Sequence, residues 1–131
     1  IPAAAGFQLV VSYNPGYQRA LKELKPSTRQ RFVTIELDFP DAEREVRIVA
    51  TEGRVAREVA VRLVQLGTRL RALRDRGLAE APGTRLLVNA ARLTASGLTL
   101  REAVDAAVIG ALADDATLVA AMRDVAHAVL P

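Results

Sequence analysis

Ser12-Tyr13-Asn14-Pro15-Gly16-Tyr17-Gln18 is the stretch on which the reading of this chain turns. The apolar run Phe7-Gln8-Leu9-Val10-Val11 leads into it. That run is short, rich in β-branched residues and closed by Asn-Pro-Gly, so residues 7–12 are predicted to form a buried strand ending at a turn. Downstream, Lys25-Pro26-Ser27-Thr28-Arg29-Gln30-Arg31 predicts a short helix carrying two arginines. A second strand is predicted over Phe32-Val33-Thr34-Ile35-Glu36-Leu37-Asp38-Phe39. Strand, polar tip, helix and strand make one α/β repeat, with its polar groups gathered at one end.

Pro40-Asp41 marks a boundary, and every periodic segment after it is helical. A helix opens on the acids that follow Asp41 and is expected to stop at Gly53. Val55, Val59, Leu63, Leu66, Leu70 and Leu73 recur at spacings of three and four, one apolar stripe on a longer helix. Arg69, Arg71, Arg74 and Arg76 crowd its last turns, where cations suit the helix dipole, and Gly77 is a natural stop. Thr84 is expected to cap a helix from Arg85 to Ser96, ended by Gly97. Thr99-Leu100-Arg101-Glu102 matches a capping box before an apolar segment from Ala103 to Leu112. Asp114 and Asp115 open a last helix, running to about Val129.

The motifs together resemble the second half of an AAA+ ATPase of the MoxR class, and most closely the CbbQ/NirQ/NorQ family. The likeness rests on residues 7–18, continues through Leu24–Phe32 and Gly83–Val88, and reaches Leu112-Ala113-Asp114-Asp115. It implies a mainly α chain: residues 1–40 as a remnant of an α/β AAA+ core, two strands and a helix, and residues 41–131 as a helical lid domain. In that family's sheet the two strands are not neighbours, so the first forty residues are expected to rearrange, to pair between chains, or to be held by a further piece of the protein.

The resemblance also implies site residues. Asn14 stands where sensor 1 orients the attacking water, and an uncharged amide can donate and accept there without repelling phosphate. Arg29 and Arg31 stand where an arginine finger reaches the neighbouring subunit's nucleotide, with Arg31 slightly favoured. Arg85 stands at sensor 2, the lid arginine that touches the γ-phosphate of its own subunit. Turn asparagine and surface arginines are the plain structural alternatives. ATP and magnesium are the implied cofactors of the whole protein. The implied partners are a hexameric ring of like subunits, a protein with a von Willebrand A domain, and a client enzyme such as Rubisco or nitric oxide reductase.

None of the eight glycines belongs to a G-x-x-x-x-G-K-[ST] phosphate loop. The chain is therefore expected to be the C-terminal part of such an ATPase, unable by itself to hydrolyse ATP or to hold it tightly. No cysteine is present, which excludes disulfides and thiolate chemistry. The only histidine, His127, is a poor metal site and reads as a helix-surface residue. No run of membrane-spanning length and no leader-like start is visible, so a cytoplasmic protein is expected. Net charge is +3, with arginines interleaved among acids and few aromatics. That pattern fits nucleic-acid binding poorly. The rival reading of greatest weight is an independent helical module that binds a protein partner.

Overall fold

The computed structural model describes residues 2–12, 25–73 and 80–130. The chain divides into two units, Ile1–Leu37 and Asp38–Pro131.

Among the described residues of the first unit the regular element is α1, Pro26–Arg29. Pro26 sits at the start, where its missing N–H costs nothing and its fixed φ suits the helix. Gly6 turns the chain at φ 79°, and the Phe7 amide donates to the Ala4 carbonyl at 3.1 Å. The two-strand remnant is not formed: among the described residues none of 7–12 or 33–39 is in a strand. Phe7, Leu9, Val10, Val33, Ile35 and Leu37 are exposed. A strand completes its hydrogen bonds only through a partner, and β-branched composition cannot supply one. The Asn14 turn lies outside the described residues.

The second unit is helical. It runs α2 (Ala42–Gly53), α3 (Arg57–Arg71), α4 (Thr84–Ala95) and α5 (Leu100–Val104). A π-helical segment, Asp105–Ile109, leads into α6 (Gly110–Leu112), and α7 (Ala116–Val129) follows. Helix α2 packs on α3 and α4, α4 on α5 and the π segment, and α3 on α7. Leu63, Leu66 and Leu70 of the expected stripe are fully buried, with Val49, Leu87, Val108 and Met122 facing them in one core. Each such side chain contributes about 1.5–3 kcal/mol.

The helix ends follow local chemistry. The Asp41 carboxylate accepts from the Arg44 amide at 2.8 Å, and Asp115 accepts from the Leu118 amide at 2.9 Å. The Thr99–Glu102 capping box is complete. Gly97, at φ 111°, closes α4, with the Leu98 amide reaching back to the Leu93 carbonyl and the Gly97 amide to Thr94.

Two expectations are corrected, for Thr84 and for the segment after Thr99. Helix α2 ends at Gly53 as expected, but it is the non-glycine Arg54 beyond it that takes the left-handed conformation, at φ 56°. Gly53 is small because α2 meets α4 there: a Cβ would collide with that of Ala91. Gly67 does the same for Leu87 against α3. Thr84 is not a cap but the first residue of α4; the cap position is Gly83. Finally, the segment after Thr99 is not one regular α-helix. Its buried pairs Ala103/Val104 and Val108/Ile109 recur at five, which suits a widened turn, and the Gly110 amide donates to the Asp105 carbonyl across it.

Candidate functional site

Among the described residues of the second unit, a buried polar cluster lies at the N-terminal end of α4. Its centre is Glu45, the buried charged residue of α2, 1% exposed. The Arg71 guanidinium grips the carboxylate with two bonds, Nη1 to Oε2 at 2.8 Å and Nη2 to Oε1 at 2.6 Å. Thr84 Oγ1 donates to Oε1 at 2.7 Å. Arg71 Nε donates to the Pro82 carbonyl at 2.9 Å, and the Phe39 ring covers the guanidinium with its centroid 3.9 Å away.

Burial is the largest single influence on the Glu45 carboxyl and pushes it upward. The hydrogen bonds from Arg71 and Thr84, with the Arg71 charge, together outweigh burial and hold the group below its ordinary 4.5. Glu45 is therefore a paired carboxylate, not a proton donor.

This arrangement escaped the sequence reading, which gave Arg71 to the helix dipole and Thr84 to a cap. The signal was present. Glu45 precedes Val46 and stands four residues before Val49, so it lies on the inward face of α2, where a carboxylate demands a cation.

Arg85 is the second residue of α4 and is exposed. Among the described residues its side chain makes no salt bridge and no hydrogen bond. Gly83 brings no side chain to cap α4, so among the described residues no side chain caps the amides at the positive end of the helix macrodipole, where Arg85 is the second residue. An exposed cation and free amides at one point suit an anion such as a phosphate oxygen.

Arg29 is the last residue of α1. Arg31 is not in that helix, as the sequence reading had it; it lies in the turn beyond and is exposed, its amide donating to Thr28 at 3.1 Å. The two arginines belong to the first unit and Arg85 to the second. Asn14 is outside the described residues. His127 is exposed on the last turn of α7. Among the described residues no cluster of His, Asp or Glu is suited to a metal ion, and no helix is long and apolar enough to cross a membrane. An open cleft of about 650 Å³ lies at the far end of α4, between Glu52, Arg54, Arg92 and Ser96. There Arg92 is occupied with the Glu52 carbonyl at 3.0 Å.

Residues 45–129 match the family model described as CbbQ/NirQ/NorQ C-terminal. The chain belongs to the CbbQ/NirQ/NorQ family. It is 52% identical over 129 residues to "Protein NorQ" of Paracoccus denitrificans (strain Pd 1222), covering 98% of this chain and 48% of that protein. It is 51% identical over 125 residues to "Denitrification regulatory protein NirQ" of Pseudomonas aeruginosa, covering 95% of this chain and 48% of that protein. To "Protein CbbQ" of Hydrogenophilus thermoluteolus it is 43% identical over 127 residues, covering 97% and 48%. The chain thus spans about half the length of these curated CbbQ/NirQ/NorQ relatives. The family model begins at Glu45 and takes in Arg71, Thr84 and Arg85, so the buried pair lies within the matched region.

Proposed function

We propose that this chain works within an AAA+ ATPase that acts as a chaperone-like activator of a metalloenzyme or of Rubisco. On this reading Asp38–Pro131 is the lid domain, and Arg85 is its sensor 2 arginine, contacting the γ-phosphate in its own subunit. Asn14 is sensor 1, and Arg31 or Arg29 is the finger offered to the neighbouring subunit of a hexamer. A partner with a von Willebrand A domain and the client enzyme complete the assembly in the cytoplasm. The observation that carries the reading is Arg85, exposed, without a partner among the described residues, at a helix N-terminus that no side chain caps. The family membership supports it, and the printed name of the NirQ relative favours a client in denitrification.

The cofactors on this reading are ATP and magnesium. ATP supplies the free energy of the remodelling step when bound. Arg85 and the α4 amides fit one phosphate group. The fingers' permanent planar charge fits the charge that develops on a transferring phosphoryl group, a contribution of up to roughly 10³–10⁵ in rate.

The test uses the full-length protein. Arg31→Ala or Arg29→Ala lowers turnover at least tenfold with nucleotide binding retained, and mixing such subunits with subunits altered in the phosphate-binding loop restores part of the activity. Arg85→Ala weakens the nucleotide-dependent step and is not rescued by mixing. If neither finger variant loses tenfold, the trans assignment falls.

A further inference from the structure

We propose that the buried Glu45–Arg71 pair, through Thr84, positions Arg85; the inference rests on Arg85 as a nucleotide-contacting residue. Gly83, the residue from which α4 starts, is held from both sides by one ion pair. On one side the Pro82 carbonyl accepts from Arg71 Nε at 2.9 Å; on the other Thr84 Oγ1 donates to Glu45 Oε1 at 2.7 Å. The pair reaches this point from two other helices, since Glu45 lies on α2 and Arg71 is the last residue of α3. Phe39 closes the open face of the guanidinium.

Arg85 follows immediately. Its backbone is pinned between the tethered Thr84 and Leu87, which is fully buried. Its side chain has no holder of its own among the described residues, so its aim is inherited from the backbone at the start of α4. Replacing a buried ion pair with apolar residues is often neutral or even stabilising, so stability alone does not account for burying one here. Directional bonds do what apolar packing cannot: they fix where α4 begins and in which direction it points. A displacement of about 1 Å of a contacting group can cost on the order of 10²-fold in rate.

The test compares Thr84→Val, Arg85→Ala and the double variant in the full-length protein, with kcat, KM for ATP and melting temperature read for each. Thr84→Val keeps the shape of the side chain and leaves the Arg71 fork on Glu45. It is expected to lower kcat/KM three- to tenfold with the melting temperature within a few degrees of the parent, and Thr84→Ser is expected to restore it. The double variant should match Arg85→Ala within twofold, because positioning has no value once the positioned group is gone. Arg71→Lys, which keeps the charge but releases Pro82, should show the same non-additivity in its own double variant with Arg85→Ala, even if it melts earlier. Losses that multiply in both double variants, or a silent Thr84→Val beside an impaired Arg85→Ala, overturn the positioning role alone. A silent Arg85→Ala overturns the nucleotide reading itself, and this inference with it.

Discussion

Leu37 and Leu66 are the same side chain in the same molecule, yet Leu37 is 92% exposed and Leu66 is 0% exposed. The first belongs to Ile1–Leu37 and the second to Asp38–Pro131. Apolar content does not separate the two regions, since residues 7–11 and 32–37 are as hydrophobic as most of α3. What separates them is where the backbone finds its hydrogen bonds. Each helix of the second unit closes its own ladder and needs its neighbours only to cover one apolar stripe. The strand-like sequences of the first unit need another strand beside them before burial can begin. A helical unit can carry its own core, whereas strand-forming sequence depends on partners distant in the chain.

The sharpest way to break this contrast is through charge. Glu45→Ala leaves Arg71 buried without its carboxylate and should destabilise the helical unit by about 3–5 kcal/mol. Glu36→Ala, at an exposed position of the first unit, should stay within about 0.5 kcal/mol. Chemical denaturation followed by helical circular dichroism reads both. The pH dependence has a defined sign. The folded Glu45 carboxyl titrates below its ordinary 4.5, so its contribution is present above that value and is lost as pH falls through the lower folded value. Glu43 and Glu102 are held low as well, by Arg57 and by Thr99, but both are exposed and add little. Glu45→Gln should therefore flatten the acid limb of the stability curve. An unchanged limb would mean that the ion pair is not the acid-sensitive element.

Next in size is the apolar comparison. Leu63→Ala, in the core, should cost about 2–5 kcal/mol. Ile35→Ala, 78% exposed, should cost almost nothing in this chain. In the full-length protein, where the proposed ATPase core would cover residues 33–37, Ile35→Ala should become destabilising. An Ile35→Ala cost that is the same in both settings removes the idea that these residues are built for a partner sheet.

The smallest effects sit side by side at the end of α2 and should have opposite signs. Gly53→Ala forces a Cβ into Ala91 and should destabilise by about 1–3 kcal/mol. Arg54→Gly relieves a left-handed residue and should stabilise by up to about 1 kcal/mol, the gain reduced by the freedom glycine has in the unfolded chain. Thermal melts of the two variants distinguish a close helix crossing from a simple helix stop.

Local chemistry is legible in the amino-acid order alone. The Thr99–Glu102 box, the Asp41 and Asp115 caps, the Gly97 ending and the Leu63–Leu66–Leu70 stripe are set by groups within a few residues of each other. Sequence similarity likewise determines the family and marks Arg85 as a residue of interest. Tertiary structure alone decided the rest. Glu45 meets Thr84 across 39 positions and Arg71 across 26, so no local pattern records that they share one buried carboxylate. Gly53 and Gly67 look like helix breakers until α4 is laid against them. The runs at 7–12 and 32–39 have strand composition but form no strand among the described residues, because a strand is completed by a neighbour and a helix by itself.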